Sequence, residues 1–229
     1  MVKALFFDAG PIISLTMSRL IWILPELKKK FGGKFYITPA VKYELVGRPL
    51  EIKRFEFEAV QVMKYLREGI LEVYDKVPTV KVAELKKLSG NSFFVKGKGL
   101  DIIQEGELES VACALQEGAE GVVMDERTLR LFIENDQELT KLLGIRFKQV
   151  IVPQREQIKR FTEQLEEVKI IRSVELVAVA FELGLLKHYI PPQKDGRKIV
   201  LDSVLWATKF NGCAVTEDEI QEMEKYLLS

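Results

Sequence analysis

Two short, wholly apolar runs constrain the fold of this chain most: ALFF at 4–7 and GVVM at 121–124, each breaking off at an aspartate, Asp8 and Asp125. Four consecutive apolar residues without alternation make a strand buried on both faces, and such strands belong to parallel sheets covered by helices on both sides. The intervening sequence agrees. After Asp8 the turn residues Ala9-Gly10-Pro11 open an apolar stretch with helical spacing. KFYI at 34–37 reads as a second strand, and Thr38-Pro39 starts a helix, with Thr38 as N-cap and Pro39 at the first helical position. This helix carries Glu44 and ends near Gly47-Arg48-Pro49. Residues 51–68 form an amphipathic helix with Phe55, Val62 and Leu66 on or near one face, and ILEVY at 70–74 is a third strand. The pattern fades over 75–100, where SGNSFFVKGKG reads as a flexible, partly basic loop, before a helix at about 106–118 leads into GVVM. The expected fold class is α/β: a three-layer α/β/α core with a mostly parallel sheet over 1–150. Residues 151–229 read as three or four helices without a convincing strand, forming a helical C-terminal extension packed on that core, interrupted by the polar break PPQKDGRK.

The chemistry open to the chain is narrowed by its histidine count of 1. Mechanisms that need two imidazoles cannot be assembled, and His188 lies in a turn-like stretch, LLKHYIPP, with no nucleophile motif beside it. Cys113 and Cys213 fall in helix-like stretches and lack zinc-site spacing, so reduced, buried thiols are expected. Catalysis in such a chain falls to carboxylates, and carboxylates that hydrolyse usually hold a metal. The 34 basic and 34 acidic residues cancel, which excludes a strongly basic nucleic-acid binder but not a nuclease with a local basic rim. No apolar run is long enough to span a membrane, since Arg19 and Pro25-Glu26 bound the longest one near Leu20–Leu24. The N-terminal VKALFF has the pattern of a buried strand rather than of a secretory signal, and a cytoplasmic protein is expected.

In open parallel sheets the ligand site lies at the carboxyl ends of the strands, where Asp8 and Asp125 stand. One acid after one strand is usually a turn or helix cap; two acids after two strands, in a chain nearly without histidine, argue for a site. Glu44 lies at the edge of the buried side that Val41, Leu45 and Val46 define, and alone would be a solvated helix residue. Glu107 and Glu109 flank the apolar stripe Leu108, Val111, Ala112 and Leu115 on opposite sides. Periodicity does not choose between them, and both suit a helix N-terminus for reasons of dipole alone.

In their order, FFDAGPIISL, TPAVKYELV, GELESVACAL and GVVMDERTLR resemble the motifs of PIN-domain nucleases over about residues 1–150. The tail, IRSVELVAVAFELGLL followed by LDSVLWATKFNGCAVTEDEI, resembles the helical ending of some archaeal PIN-like proteins. The resemblance implies that Asp8, Glu44, Glu107 and Asp125 are the four acids that bind Mg²⁺ or Mn²⁺ and catalyse, with Glu109 as the fallback for Glu107. It implies a ribonuclease that hydrolyses RNA by in-line attack of water, leaving a 5′-phosphate and a 3′-hydroxyl. RNA is the implied partner. An inhibitory partner protein goes with a toxin role, and a homodimer is common in the family. The length of the chain favours RNA processing over the toxin role. The family often carries Ser or Thr and a further Asp around its fourth acid. Here the stretch is VVMDER, so Met124 offers no hydroxyl and Glu126 would serve. Grip on the phosphates is expected from Lys96, Lys98, Arg48, Arg127 or Arg130. Arg172, Ser173 and Glu175 also match the family pattern and either line the cleft or cap a helix.

Three other readings remain open at this point. Asp202 and Asp218 loosely echo the Glu107–Asp125 unit, although CAVTEDEIQEM reads as a capped helix start with Thr216 and Glu219. The chain can also be a catalytically weak PIN-like RNA-binding or scaffold protein, if the acids fail to converge. A phosphotransferase with an aspartate after its first strand wants a second Asp two positions on, where this chain has Gly10.

Overall fold

The computed structural model describes residues 3–229; Val2 of the expected first strand lies outside them. Among the described residues eight strands run β1 (Ala4–Phe7), β2 (Lys34–Ile37), β3 (Glu72–Val73), β4 (Phe93–Val95), β5 (Lys98–Gly99), β6 (Gly121–Val123), β7 (Val152–Pro153) and β8 (Ile170–Ile171). Five of them form one central sheet in the order β3-β2-β1-β6-β8, and every pairing in it is parallel. Leu5 stands opposite both Phe35 and Gly121, which puts β1 in the centre.

The pleat of β1 divides the interior in two. Leu5 and Phe7 point into one apolar cluster and Phe6 into the other, as the period of two along a strand requires. Val123 follows the first pair, while Val122 and Met124 follow Phe6. The first cluster is closed by α1 (Ala9–Met17) through Ile12 and Leu15, together with apolar residues from beyond position 170. On the other face lies the helix Glu105–Glu117, which buries Leu108, Val111 and Ala112. The chain is therefore an α/β protein with an all-parallel five-stranded sheet, and its two cores are compatible with a three-layer fold.

Local signals set several boundaries. The Thr38 hydroxyl accepts from the Val41 amide at 3.3 Å and starts α2 (Pro39–Lys42), which runs into a π-helical turn, Tyr43–Gly47. At the far end of the chain Thr216 and Glu219 exchange the two bonds of a capping box. Cys113 and Cys213 are buried and unbridged, and His188 is exposed.

Two expectations are corrected. Residues 75–100 are ordered, as the helix Thr79–Gly90 and then the hairpin β4–β5, which pairs with β7 in a second, antiparallel sheet. The two-residue turn of this hairpin is Lys96-Gly97, both with positive φ (48° and 78°), so the KGKG stretch is turn chemistry rather than slack. The segment from 151 to 229 is not purely helical: Ile170–Ile171 extends the central sheet as β8. Two residues of pairing are too short to give a period in the sequence. The approach is close, for a Cβ on Gly121 would meet the Lys169 carbonyl oxygen at 2.6 Å. Apolar residues of α3 (Ser173–Glu182) and α4 (Gly196–Phe210), among them Val174, Val177, Val200 and Leu201, pack in the same cluster as Phe7.

Candidate active site

The strand order turns at β1. Neighbours on one side are β2 and β3, and on the other β6 and β8, so the switch point of the sheet lies between β1 and β6. A crevice opens at the carboxyl ends of the strands at such a point, because the connections leave to opposite sides. Asp8 and Asp125 follow those two strands, and the Asp8 amide donates to the Val123 carbonyl at 2.9 Å. A cavity of about 200 Å³ is lined there by Asp8, Glu44, Glu107, Asp125 and Glu126.

Each acid reaches the cavity differently. Asp8 is the N-cap of α1: its Oδ2 accepts from the Gly10 amide at 3.2 Å, so it is at once a helix cap and a cavity residue. A Cβ on Gly10 would lie 3.4 Å from that oxygen and 3.5 Å from the Asp125 Cβ, which shows how tightly the turn fits between the two acids. Glu44 projects from the π-helical turn, a distortion that re-aims side chains and is frequent at functional sites. Its carboxylate lies against the start of the Glu105–Glu117 helix, since a Cβ on Gly106 would meet Oε1 at 3.0 Å. Glu107 closes a capping box, accepting from the Gln104 amide at 2.6 Å with Oε2, while its buried Oε1 has no partner. Glu109 points elsewhere and accepts from the Ala40 amide at 3.1 Å. Position along the helix left the choice open; here Glu107 lines the cavity and Glu109 caps α2.

Asp125 is held from behind. Its Oδ1 accepts from the Ser173 amide at 2.7 Å, and its Oδ2 from the hydroxyls of Ser14 and Ser173, both at 2.6 Å. Ser14 was not singled out in the sequence; a hydroxyl inside the apolar helix AGPIISLTM was the available signal. Arg172 and Glu175, expected either in the cleft or at a cap, form an ion pair at 2.6 Å in which the buried guanidinium also engages Glu219 at 2.8 Å. Ser173 lies at the first position of α3 rather than at its cap, and spends its hydroxyl on Asp125.

The electrostatics follow from burial. Glu107, 3% exposed, has its carboxyl pushed up to about 8, first by desolvation and then by the charge of Asp8. Asp8 is raised to about 6, again mainly by burial, with Glu44 and Asp125 adding to it against the amides of Gly10 and Ala9. Glu44 is raised by desolvation and pulled back by Arg48. Oxygen donors that feel one another's charge, one of them orphaned and buried, suit a hard divalent cation. Among the described residues, however, no three acids already stand in ligating geometry around one point, so a cation would have to draw the carboxylates together.

The expected cations fare less well. Arg127 pairs with Glu138, and Arg130 lies 3.4 Å from Glu219. Lys96 and Lys98 belong to the exposed hairpin, and neither they nor Arg48 line the cavity. Instead Lys86 and Arg146 line a polar cleft of about 530 Å³ that shares Gln104, Glu107 and Glu126 with the acid cavity. They stand outside the family motifs, which is why the sequence did not single them out. Neither Asp202 nor Asp218 lines the cavity. No helix among the described residues is long and apolar enough to cross a membrane. Compared with family models, curated proteins and solved structures, the chain matches none.

Proposed function

We propose that the chain is a PIN-like, metal-dependent endoribonuclease that hydrolyses RNA phosphodiester bonds at this cavity. One observation carries the proposal: acids at positions 8, 44, 107 and 125, from four separate elements, line one cavity at the switch point of the sheet. Bound Mg²⁺ or Mn²⁺ would supply Lewis acidity, an activated water and charge neutralisation at the phosphodiester. Asp8, Glu44 and the unpartnered Oε1 of Glu107 are the oxygens free to hold it. Asp125, whose oxygens already take three hydrogen bonds, fixes the floor of the cavity and leaves one lone pair of Oδ1 for the site. Burial raises the Glu107 carboxyl to about 8, and the charge of a bound cation would favour its ionised form. Lys86 and Arg146 attract the phosphates that flank the bond to be cut.

A second reading is favoured by one fact. The acids are not yet arranged around a single point, and Asp125 is largely saturated, as suits a PIN-like RNA-binding or scaffold protein that does not cut. Calorimetric titration with Mn²⁺ and cleavage of a single-stranded RNA, for wild type and Asp8→Asn, decide between them. Asparagine caps a helix as well as aspartate, so the fold survives the change. Binding and cleavage lost together establish the carboxylate site; wild-type protein that binds RNA yet neither takes up Mn²⁺ nor cuts leaves the binding role.

A further inference from the structure

An apolar groove of about 470 Å³ opens beside the acid cavity, within the roughly 300–1,000 Å³ typical of small-ligand pockets. The two share Ile13, Glu44 and Gly212, so an occupant of the groove lies next to whatever is held by Glu44. Phe55 and Met17 line the groove, and Phe210 at the end of α4 adds an aromatic ring that is 76% exposed. One side of that ring is stacked on Trp206, at 5.4 Å between centroids and 29° between planes, which braces it as a platform. Against these apolar walls stand two acids, the shared Glu44 and, on the groove's own wall, Glu58, whose buried Oε2 has no hydrogen-bond partner. No Lys or Arg lines the groove.

We propose that this groove is a base-binding subsite that selects guanine, by stacking on Phe210 and pairing with Glu58. The inference rests on the nuclease proposal for the adjoining acids. A nucleobase has apolar faces and a polar edge, as the groove has apolar walls with the unpartnered carboxylate of Glu58 among its few polar groups. A carboxylate only accepts, and a buried acceptor left without a donor is costly. Guanine presents two adjacent donors, N1–H and the N2 amino group, to match the two oxygens of Glu58. Adenine and cytosine place an acceptor beside their amino group, and uracil has one donor between two acceptors, so each sets an acceptor against the carboxylate. A guanidinium on a partner protein would satisfy Glu58 equally well. The wall shared with the acid cavity favours the base, because a strand whose phosphate lies at Asp8 and Glu107 must place a neighbouring base close by.

The test measures binding of guanosine, inosine and adenosine to the full chain by ligand-observed NMR, alongside Mn²⁺-dependent cleavage of a uridine oligomer carrying one guanosine. Guanosine is expected to bind at least tenfold tighter than adenosine, with inosine between them for want of the N2 amino group. Glu58→Gln removes the preference, and the exposed Phe210→Ala weakens all three nucleosides without disturbing the core. Cuts cluster at the guanosine in wild type and lose that bias in Glu58→Gln. Cleavage without base preference and without guanosine binding overturns the subsite and leaves the nuclease proposal standing. Guanosine selectivity without cleavage upholds the subsite and overturns the nuclease proposal. A dimer in sedimentation that Phe210→Asp dissociates, with no nucleoside bound by either species, overturns the subsite in favour of an interface between two copies.

Discussion

Replacing Glu107 by Gln tests the electrostatics of the cavity without touching its shape. Glutamine is close in size and its oxygen still accepts from the Gln104 amide, but it does not ionise. In the folded wild type the Glu107 carboxyl titrates at about 8, raised from 4.5 mainly by burial. The folded form therefore binds this proton more tightly than the unfolded form. The resulting stability is fully present below pH 4.5 and is lost as pH rises through about 8. Each pH unit inside that window removes about 1.4 kcal/mol. Between pH 5 and 7.5 metal-free wild type gives up about 3 kcal/mol through Glu107 on top of what Asp8 contributes through its own value near 6, whereas Glu107→Gln gives up only the Asp8 part. For a chain of this length a kcal/mol moves Tm by about 2–4 °C. Relative to their difference at pH 5, the variant should thus gain about 6–12 °C on the wild type by pH 7.5. Differential scanning fluorimetry in EDTA, repeated in excess Mn²⁺, reads both halves of the reasoning. Mn²⁺ should restore the wild type at pH 7.5 and do much less for the variant. Parallel pH profiles for the two proteins in EDTA would refute a protonated Glu107.

Ser173→Ala removes one of three hydrogen bonds on Asp125, and a buried bond to a carboxylate contributes about 2 kcal/mol; thermal unfolding should fall by about 4–8 °C. An unchanged Tm would mean that Ser14 and the amide of residue 173 are enough to hold the carboxylate. Glu109→Gln keeps an acceptor for the Ala40 amide and loses only a charge near a helix start, a cost of about 0.5 kcal/mol. Mn²⁺ titration of this variant should match wild type, and a loss of binding would show that the third acid had been misplaced.

The sheet could be read from the sequence where burial left a long enough mark. ALFF and GVVM are buried on both faces, and their unbroken apolar runs said so. The helix Thr79–Gly90 was missed because it buries mainly Leu85 and Ser89, too little to impose a helical period on TVKVAELKKLSG. Ile170–Ile171 joins the sheet through two residues, below the length at which alternation can be seen. Its pairing depends instead on β6 standing ready to receive it: the Val122 and Met124 amides donate to the carbonyls of Lys169 and Ile171 at 2.8 and 2.7 Å.

The acids and the cations of the site differ in how far a sequence can place them, and the difference is physical. Asp8 and Asp125 follow strands, and a strand end in a parallel sheet has one address, so their placement needs only the strand. Glu107 is already less determined, since a helix start gives acids at two positions the same dipole and capping benefit; only the facing Ala40 amide, 69 residues away in sequence, draws Glu109 off to another task. Cations carry no such address. Arg127 and Arg130 lie near Asp125 in sequence, yet they are committed to Glu138 and Glu219. Lys86 and Arg146 reach the polar cleft from the helices Thr79–Gly90 and Asp136–Phe147. A long flexible side chain can serve a cleft from many backbone positions, so nothing in its local sequence reports that it does. The same asymmetry explains Glu58, an ordinary helix glutamate by pattern, whose unpartnered oxygen is visible only once the groove around it exists.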